Sequence, residues 1–344
     1  MDIVVLAGGL SPERDVSLSS GAMVTNALID MGHRAVLVDL FLGLDRIPAD
    51  PKEAFAAAKK IEKSRITEEA PDIESVIASR KDGDSPFIGK NVKTLCAAAD
   101  IVYLGLHGGD GENGRIQAWL DMNGIRYTGS PSFGCALAMD TWVTKQLFLG
   151  AGIPTAKGKL FKKTDASFDF ELPCVVKPCC GGSSIGVSIA HTQEEYESAL
   201  KDAFRYEDAI LVEKYIKGRE LTCGILGGEA LIPTEIIPRT GFYDYAHKYQ
   251  AGWTEEITPA RIDPETTERI RALTVEASET LHLEVYARAD FILAEDGSLI
   301  VIEVNTLPGM TPTSLLPQGA APMGIDYPHL CEKIVQLSME KYKA

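Results

Sequence analysis

The sequence has no C-x-x-C pair, no zinc-type ligand spacing and no positively charged leader ahead of an apolar run. Seven cysteines outside any such frame, an odd number, read as reduced thiols, so the expectation is a cytoplasmic protein. The opening "MDIVVLAGG" turns at glycines and is far too short to span a membrane. Basic residues are in the minority, 34 Lys and Arg against 49 Asp and Glu, for a net charge of -15. That balance argues against a nucleic-acid or anionic-membrane partner, whose affinity comes mainly from clustered cations. The first glycine-rich turn, "GGLSPERDVS", lacks the G-x-G-x-x-G fingerprint, which weakens a hydride-transfer reading. Neither G-x-x-x-x-G-K-[ST] nor H-R-D occurs, so a nucleotide would be held by neither a P-loop nor a protein-kinase site. Internal repeats, low-complexity tracts and heptads are missing as well, while 344 residues suffice for two or three domains.

What is present concentrates near the C-terminus. "YARADFILAEDG" and "GSLIVIEVNTLPGM" read as two strands joined at Asp296-Gly297, a dipeptide that favours a two-residue type I′ turn. Pairing Glu295 with Ser298 sets Asp290 opposite Glu303 and Arg288 opposite Asn305. In that register Ile292, Ala294, Leu299 and Val301 continue the Asp290 face, and Phe291, Leu293, Ile300 and Ile302 form the other. Both faces read as buried. Carboxylates at directly opposed positions repel one another, so a cation is expected between them. Two carboxylates and a carboxamide suit Mg²⁺, a hard ion that shares oxygen ligands with phosphates; an ion-pair cluster built on Arg288 is the competing account.

Residues 2 to 7 read as a buried strand, followed by a glycine-rich loop and a helix that stops near Gly32; "AVLVDL" is the next strand. The stretch from about 42 to 93 looks like a peripheral helical insertion, and "RYTGSP" like the last strand of the first unit. A second unit contains "LPCVVKPCCGGSSIGVSIA", two strands around a loop of small residues, then a helix opened by the capping box Thr192-x-x-Glu195. The third runs from about 220, with a loop at 239 to 253 and a helix begun by Asp263-Pro264. In "VVKPCCGGSSIG", Lys177 at a strand end precedes a loop, Gly181 to Gly186, whose amides and Ser183 and Ser184 hydroxyls can surround a phosphate; an ordinary turn is the plainer reading. "ILVEKYIKGREL" puts Glu213 and Lys214 at another strand end, where polar edges can accept from an adenine amino group and Ile216 can pack on the ring; a surface ion pair is the alternative.

Taken in order, "GGLSPERDVSLSSG", "LHGGDGENGRIQ", "VVKPCCGGSSIG", "VEKYIKGREL", "GFYDYAHKY", "RADFIL" and "IEVNTLPGMT" resemble the D-alanine–D-alanine ligases of the ATP-grasp superfamily. The resemblance spans the chain apart from the 42–93 stretch. It implies an α/β, three-domain ATP-grasp architecture with an N-terminal Rossmann-like domain. The implied divisions are 1–138 for substrate binding, 139–219 for a central subdomain and 220–344 for a C-terminal catalytic subdomain. ATP-dependent joining of two D-alanines through an acyl phosphate, for peptidoglycan precursors, is the activity it implies. Two Mg²⁺ ions, with Mn²⁺ as an alternative, a cytoplasmic homodimer and no nucleic-acid or membrane partner go with that activity.

By position, the resemblance assigns Asp290, Glu303 and Asn305 to the metals, and Lys177, Ser184 and Lys248 to ATP phosphates. Glu213, Ile216 and Glu220, with Lys214 beside them, are assigned to adenine and ribose. Glu13 would hold the first D-alanine's ammonium with His107 alongside, and Arg288 and the Gly309 N–H would stabilise the oxyanion. Ser314 and the Leu315 backbone would receive the second carboxylate, while Ser183 and Tyr249 would link loop and lid to Glu13. The chain departs from the family at Thr141, where a lysine usually reaches the phosphates; Lys145, one turn on, is the expected substitute. The alternatives are a ligase using D-serine or D-lactate as second substrate and a nucleotide-binding paralogue with impaired turnover.

Overall fold

The computed structural model describes residues 1–62, 71–80, 82–83, 85–182, 184–239 and 253–343. β1 (Asp2–Ala7) is buried along its whole length and apolar after its first residue. Burial on both faces marks the middle strand of a parallel sheet. It lies between β2 (Arg34–Asp39) and β3 (Ile101–Leu104). The Gly8-Gly9 turn, with φ of 76° and 79°, swings the chain from β1 into the helix Arg14–Asp30. Left-handed backbone of this kind favours glycine.

Two expectations change here. "RYTGSP" forms no strand: Val102 N–H donates to Arg126 O (2.8 Å) and Thr128 N–H to Val102 O (2.9 Å), a single parallel bridge, and Gly129 at φ 88° then turns the chain away. The described part of the 42–93 stretch is not merely peripheral. Its helices are short, Glu53–Ala56, Ile73–Ser79 and Val92–Ala98, but Phe55, Ile88 and Val92 are buried in the same core as Ile3 to Leu6. The C-terminal helix Tyr327–Glu340 closes that core with Leu330, Cys331, Ile334 and Val335.

β4 (Gly158–Lys162), β5 (Cys174–Pro178), β6 (Ser188–Ala190) and β7 (Ala209–Lys214) make an antiparallel sheet in the order β4-β7-β5-β6. The helix Gln193–Ala203 starts at the Thr192/Glu195 capping box and buries Tyr196, Ala199, Leu200 and Ala203. That i, i+3, i+4, i+7 spacing gives one apolar stripe against the sheet. The third sheet holds β8 (Gly218–Leu226), β9 (Glu229–Ala230), β10 (Thr234–Pro238), β11 (Thr254–Ile257), β12 (Tyr286–Ala294) and β13 (Leu299–Asn305). Its order is β11-β10-β8-β12-β13, with β9 on β8. The helix Pro264–Thr280, capped by Asp263, covers its core face.

The β12/β13 hairpin keeps the expected pairing at its far end by a different route. Ala294 N–H donates to Ser298 O and Gly297 N–H to Ala294 O, both 2.9 Å, so the connection is a three-residue loop with Gly297 at φ 81°. Pairing near the turn is therefore shifted by one, with Phe291 opposite Val301. A bulge between Asp290 and Phe291 absorbs Ile302 and restores Asp290 opposite Glu303 and Arg288 opposite Asn305. The facing assignment changes accordingly. Leu299 and Val301 join Phe291 in the core, while Ile300 and Ile302 are half-buried and line a cavity with Ile292. Among the described residues no helix is long and apolar enough to cross a membrane.

Candidate active site

The cavity has a volume of about 670 Å³, and its walls come from the second and third sheets and from the segments that follow β1 and β3 of the first. One end is apolar, formed by Val175, Ile189, Ile216, Ile292, Ile300 and Ile302. The other gathers Glu13, His107, Glu112, Arg288, Asp290, Glu303, Asn305, Gly309 and Ser314. At a rise of about 3.3 Å per residue, Arg288 and Ile292 lie about 13 Å apart along β12, enough to separate a polar from an apolar part of one ligand.

At the polar end both Asp290 oxygens are engaged. Arg288 donates through Nε to Oδ1 (2.9 Å) and through Nη2 to Oδ2 (2.8 Å); Thr222 Oγ1 donates to Oδ1 (2.6 Å) and Asn305 Nδ2 to Oδ2 (3.0 Å). The Arg288 cluster weighed against a metal is thus formed. Glu303, opposite Asp290 and half-buried, has no hydrogen-bond or ion-pair partner among the described residues. No group of three or more His, Cys, Asp or Glu side chains able to hold a metal occurs among them either. Two carboxylates and one carboxamide do not make a closed cage, but they fit Mg²⁺, which keeps part of its shell for water and substrate phosphates. Two carboxylates facing each other with a single guanidinium leave room for such a cation.

Glu13 lies against Gly108, where a Cβ would collide with its carboxylate, and near Gly182, where a Cβ would come within 3.2 Å of Oε2. It therefore joins the first unit's loops to the glycine loop after β5. His107 is buried, with Nδ1 2.9 Å from Leu307 O and Nε2 2.9 Å from Ser20 Oγ. The carbonyl can only accept, so Nδ1 carries the proton, and the Ser20 hydroxyl, with one proton to give, lies within reach of both Nε2 and Val16 O (2.8 Å). Burial lowers the His107 pKa, against the opposing pull of Glu13, and the imidazole is neutral. Gly309 faces Ser314 closely enough that a Cβ would stand 2.9 Å from its Oγ. Ser314 precedes the short helix Leu315–Ala320, and its Oγ accepts from Thr311 N–H at 3.0 Å.

Under the phosphate loop, Lys177 donates to Glu213 Oε1 (2.6 Å) and Lys145 to Glu213 Oε2 (2.8 Å), all three side chains being buried. Burial pulls the Lys177 pKa down, but the Glu213 and Glu303 carboxylates outweigh it and the net shift is upward. Glu213 is pushed up by burial and, more strongly, held down by the two lysines. Lys145 does not take up the expected substitute role. Its Nζ also donates to Thr155 Oγ1 (2.8 Å) and Ala156 O (2.7 Å), and it does not line the cavity. Four residues along a helix means an axial advance of about 6 Å, which carries Lys145 past the cavity and beneath Ala156. Thr141, at the start of the helix Thr141–Ala151, does line it. Lys214, Ile216 and Glu220 border the cavity as well, Lys214 being exposed, and Ser184 adopts φ 57°. Ser183, Lys248 and Tyr249 lie outside the described residues.

Glu112 was not singled out from sequence, although an acid among the glycines of "GGDGENG" was a signal. Burial first, then the neighbouring Glu13, pushes its carboxyl up from 4.5 to about 8, against the pull of the Gly108 N–H and Arg288. A folded-state pKa above the unfolded one means that the native state holds the extra proton between about 4.5 and 8. Stability from this group is therefore full at low pH and is lost as pH rises through that window. Glu112→Gln removes the titration, so its stability relative to wild type should increase steadily from pH 5 to 8.5 in denaturant melts. A constant difference across the series contradicts the assignment.

Family models described as D-ala D-ala ligase N-terminus and C-terminus match residues 2–130 and 145–336. The chain is 43% identical to a D-alanine–D-alanine ligase of Lacticaseibacillus casei, covering 99% of this chain and 97% of the relative. It is 44% identical to one of Pediococcus pentosaceus, over 97% of each. Among solved structures it is similar to a D-alanine–D-alanine ligase from Bacillus anthracis, at 30% identity and a TM-score of 0.74 over 100% and 99% of the two chains. A second structure from that organism, described as complexed with ATP, matches at 28% identity, with the same TM-score and coverage.

Proposed function

The chain belongs to the D-alanine–D-alanine ligase family, and from that premise we propose that its cavity joins two D-alanines into D-alanyl-D-alanine with ATP as co-substrate. The observation that carries this reading is the meeting of Glu13 and His107 with the Arg288, Asp290, Glu303 and Asn305 hairpin end in one cavity that also has an apolar end. A carboxylate is a poor electrophile. Transfer of the ATP γ-phosphoryl group to the first D-alanine's carboxylate gives an acyl phosphate and ADP, and the second D-alanine's amine then displaces phosphate to form the peptide bond. The product serves peptidoglycan precursor synthesis. A cytoplasmic location and a homodimer complete the reading, with the chain divided at 1–138, 139–219 and 220–344.

In this assignment Glu13 holds the first ammonium, beside a neutral His107. Lys177, charged because Glu213 and Glu303 hold it so, faces the phosphates with Ser184 and the amides of the glycine loop. Adenine and ribose sit among Ile216, Glu213, Lys214 and Glu220. Arg288, fixed by its fork on Asp290, and the Gly309 N–H meet the oxyanion, where preorganised donors are most effective. Ser314 and the Leu315 N–H take the second carboxylate. Asp290, Glu303 and Asn305 would hold Mg²⁺ or Mn²⁺, which supplies positive charge to phosphate oxygens. Ser183, Lys248 and Tyr249 are assigned to closing the site over an intermediate that water would otherwise hydrolyse.

The test is phosphate release from MgATP with D-alanine, with products identified by mass and with D-serine or D-lactate offered in competition. D-alanine-dependent release with D-alanyl-D-alanine as the main product is expected. Release independent of D-alanine, or a mainly ester or mixed product, overturns the reading.

A further inference from the structure

The glycine loop after β5 is gripped at its stem by residues to which no role has been given. β5 ends at Pro178, and Cys179 and Cys180 contribute the first backbone amides beyond the sheet. Both donate to one side chain: Cys179 N–H to Glu207 Oε2 and Cys180 N–H to Glu207 Oε1, each 2.9 Å. On the other side Cys179 O accepts twice from Thr141, from its N–H and from its Oγ1, again at 2.9 Å. The peptide units around Cys179 are therefore held from both directions. At the far stem, Tyr206 packs beside Gly186, where a Cβ would come within 2.8 Å of its ring and 3.0 Å of Pro178.

We propose that Thr141 and Glu207 form a clamp on the stem of the phosphate loop and act as positioning residues for the ATP phosphates. The inference rests on the ligase reading for its ligand. A loop with glycines at 181, 182 and 186 has many conformations open to it, and ordering them on binding weakens affinity. Fixing the first two peptide units removes part of that freedom and sets the direction in which the following amides point. Glu207 uses its two oxygens on these amides and does not line the cavity, so its charge is turned away from the phosphates. The Cys179 and Cys180 amides are committed to it, and the phosphate cradle begins at Gly181. Thr141 thus serves the nucleotide through the loop, with no cation of its own.

Four variants test this: Thr141→Val, Thr141→Ser, Glu207→Ala and Glu207→Gln. Losing one stem contact should weaken MgADP binding, measured by calorimetric titration, and raise the KM for ATP by about tenfold. The kcat and the KM for D-alanine should stay within about twofold. Thr141→Ser, which keeps the hydroxyl, should bind as wild type does, and Glu207→Gln, which keeps one acceptor, should fall between wild type and Glu207→Ala. If Glu207→Ala does not fold, the Gln and Thr141 variants still decide. Nucleotide affinity within twofold of wild type for Thr141→Val and Glu207→Gln overturns the clamp, as does a loss in Thr141→Ser equal to that in Thr141→Val. The titration needs no turnover. A wild type that binds MgADP but never consumes D-alanine therefore refutes the ligase reading while leaving the clamp to be judged by its own result.

Discussion

Glu303→Gln is expected to lower turnover by at least about 100-fold while leaving the protein as stable as wild type or slightly more so. The two halves of this result have one cause. Glu303 faces Asp290 directly across the hairpin, and opposed like charges destabilise such a pair by about 0.2–1 kcal/mol. Among the described residues nothing donates to Glu303, so neutralising it breaks no hydrogen bond, and the repulsion from Asp290 that it relieves offsets the lost attraction to Lys177. A carboxylate set opposite another in a cavity wall, with no hydrogen bond to it among the described residues, is placed to serve a ligand. The glutamine keeps the shape and one carbonyl oxygen, but it removes the charge that would balance Mg²⁺ between Asp290 and the phosphates. Steady-state turnover and a thermal melt of the same preparation check both halves. Activity within fivefold of wild type at the same Mg²⁺ concentration, or a clear loss of stability, would sink the assignment.

The pairing of Asp290 with Glu303 and of Arg288 with Asn305 was legible in sequence because it lies in one local hairpin, although it was reached for the wrong reason. Asp296-Gly297 was read as a two-residue turn, the loop has three residues, and the bulge beside Asp290 cancels the slip. Only the residues between turn and bulge were put on the wrong face. Features that depend on segments far apart in the chain were not legible. Helix spacing suggested that Lys145 would follow Thr141 to the phosphates; it could not show that Glu213 arrives from β7 to hold it. Glu112 owes its raised pKa to burial and to Glu13, from different loops, and no local pattern contains that information. "RYTGSP" has the look of a strand, yet a left-handed Gly129 ends its pairing after one bridge. Lys248 and Tyr249, assigned by the family resemblance, fall outside the described residues.

The largest effect on stability is expected at Lys145. Lys145→Met keeps most of the side-chain length and apolar stem but removes an ammonium with three partners, Glu213, Thr155 and Ala156. Two terms oppose each other. Burial, and after it the neighbouring Lys177, disfavours the charge of Lys145 and lowers its pKa in spite of Glu213, so removing the cation recovers some desolvation. Against that, the Ala156 carbonyl loses a buried donor, at about 1–3 kcal/mol, and among the described residues Glu213 is left with Lys177 as its one buried cation. Breaking a buried pair by removing one member costs about 3–5 kcal/mol; because Lys177 remains, about 3 kcal/mol is expected here. The double variant Lys145→Met, Glu213→Gln separates the terms. A neutral amide next to Lys177 no longer needs a second cation, so the pair should destabilise by at least 1 kcal/mol less than the sum of the singles. Urea melts of the four proteins at one pH provide the cycle. A loss below about 1 kcal/mol for Lys145→Met would show that Lys177 alone satisfies Glu213, and strict additivity would show that the two residues do not act together.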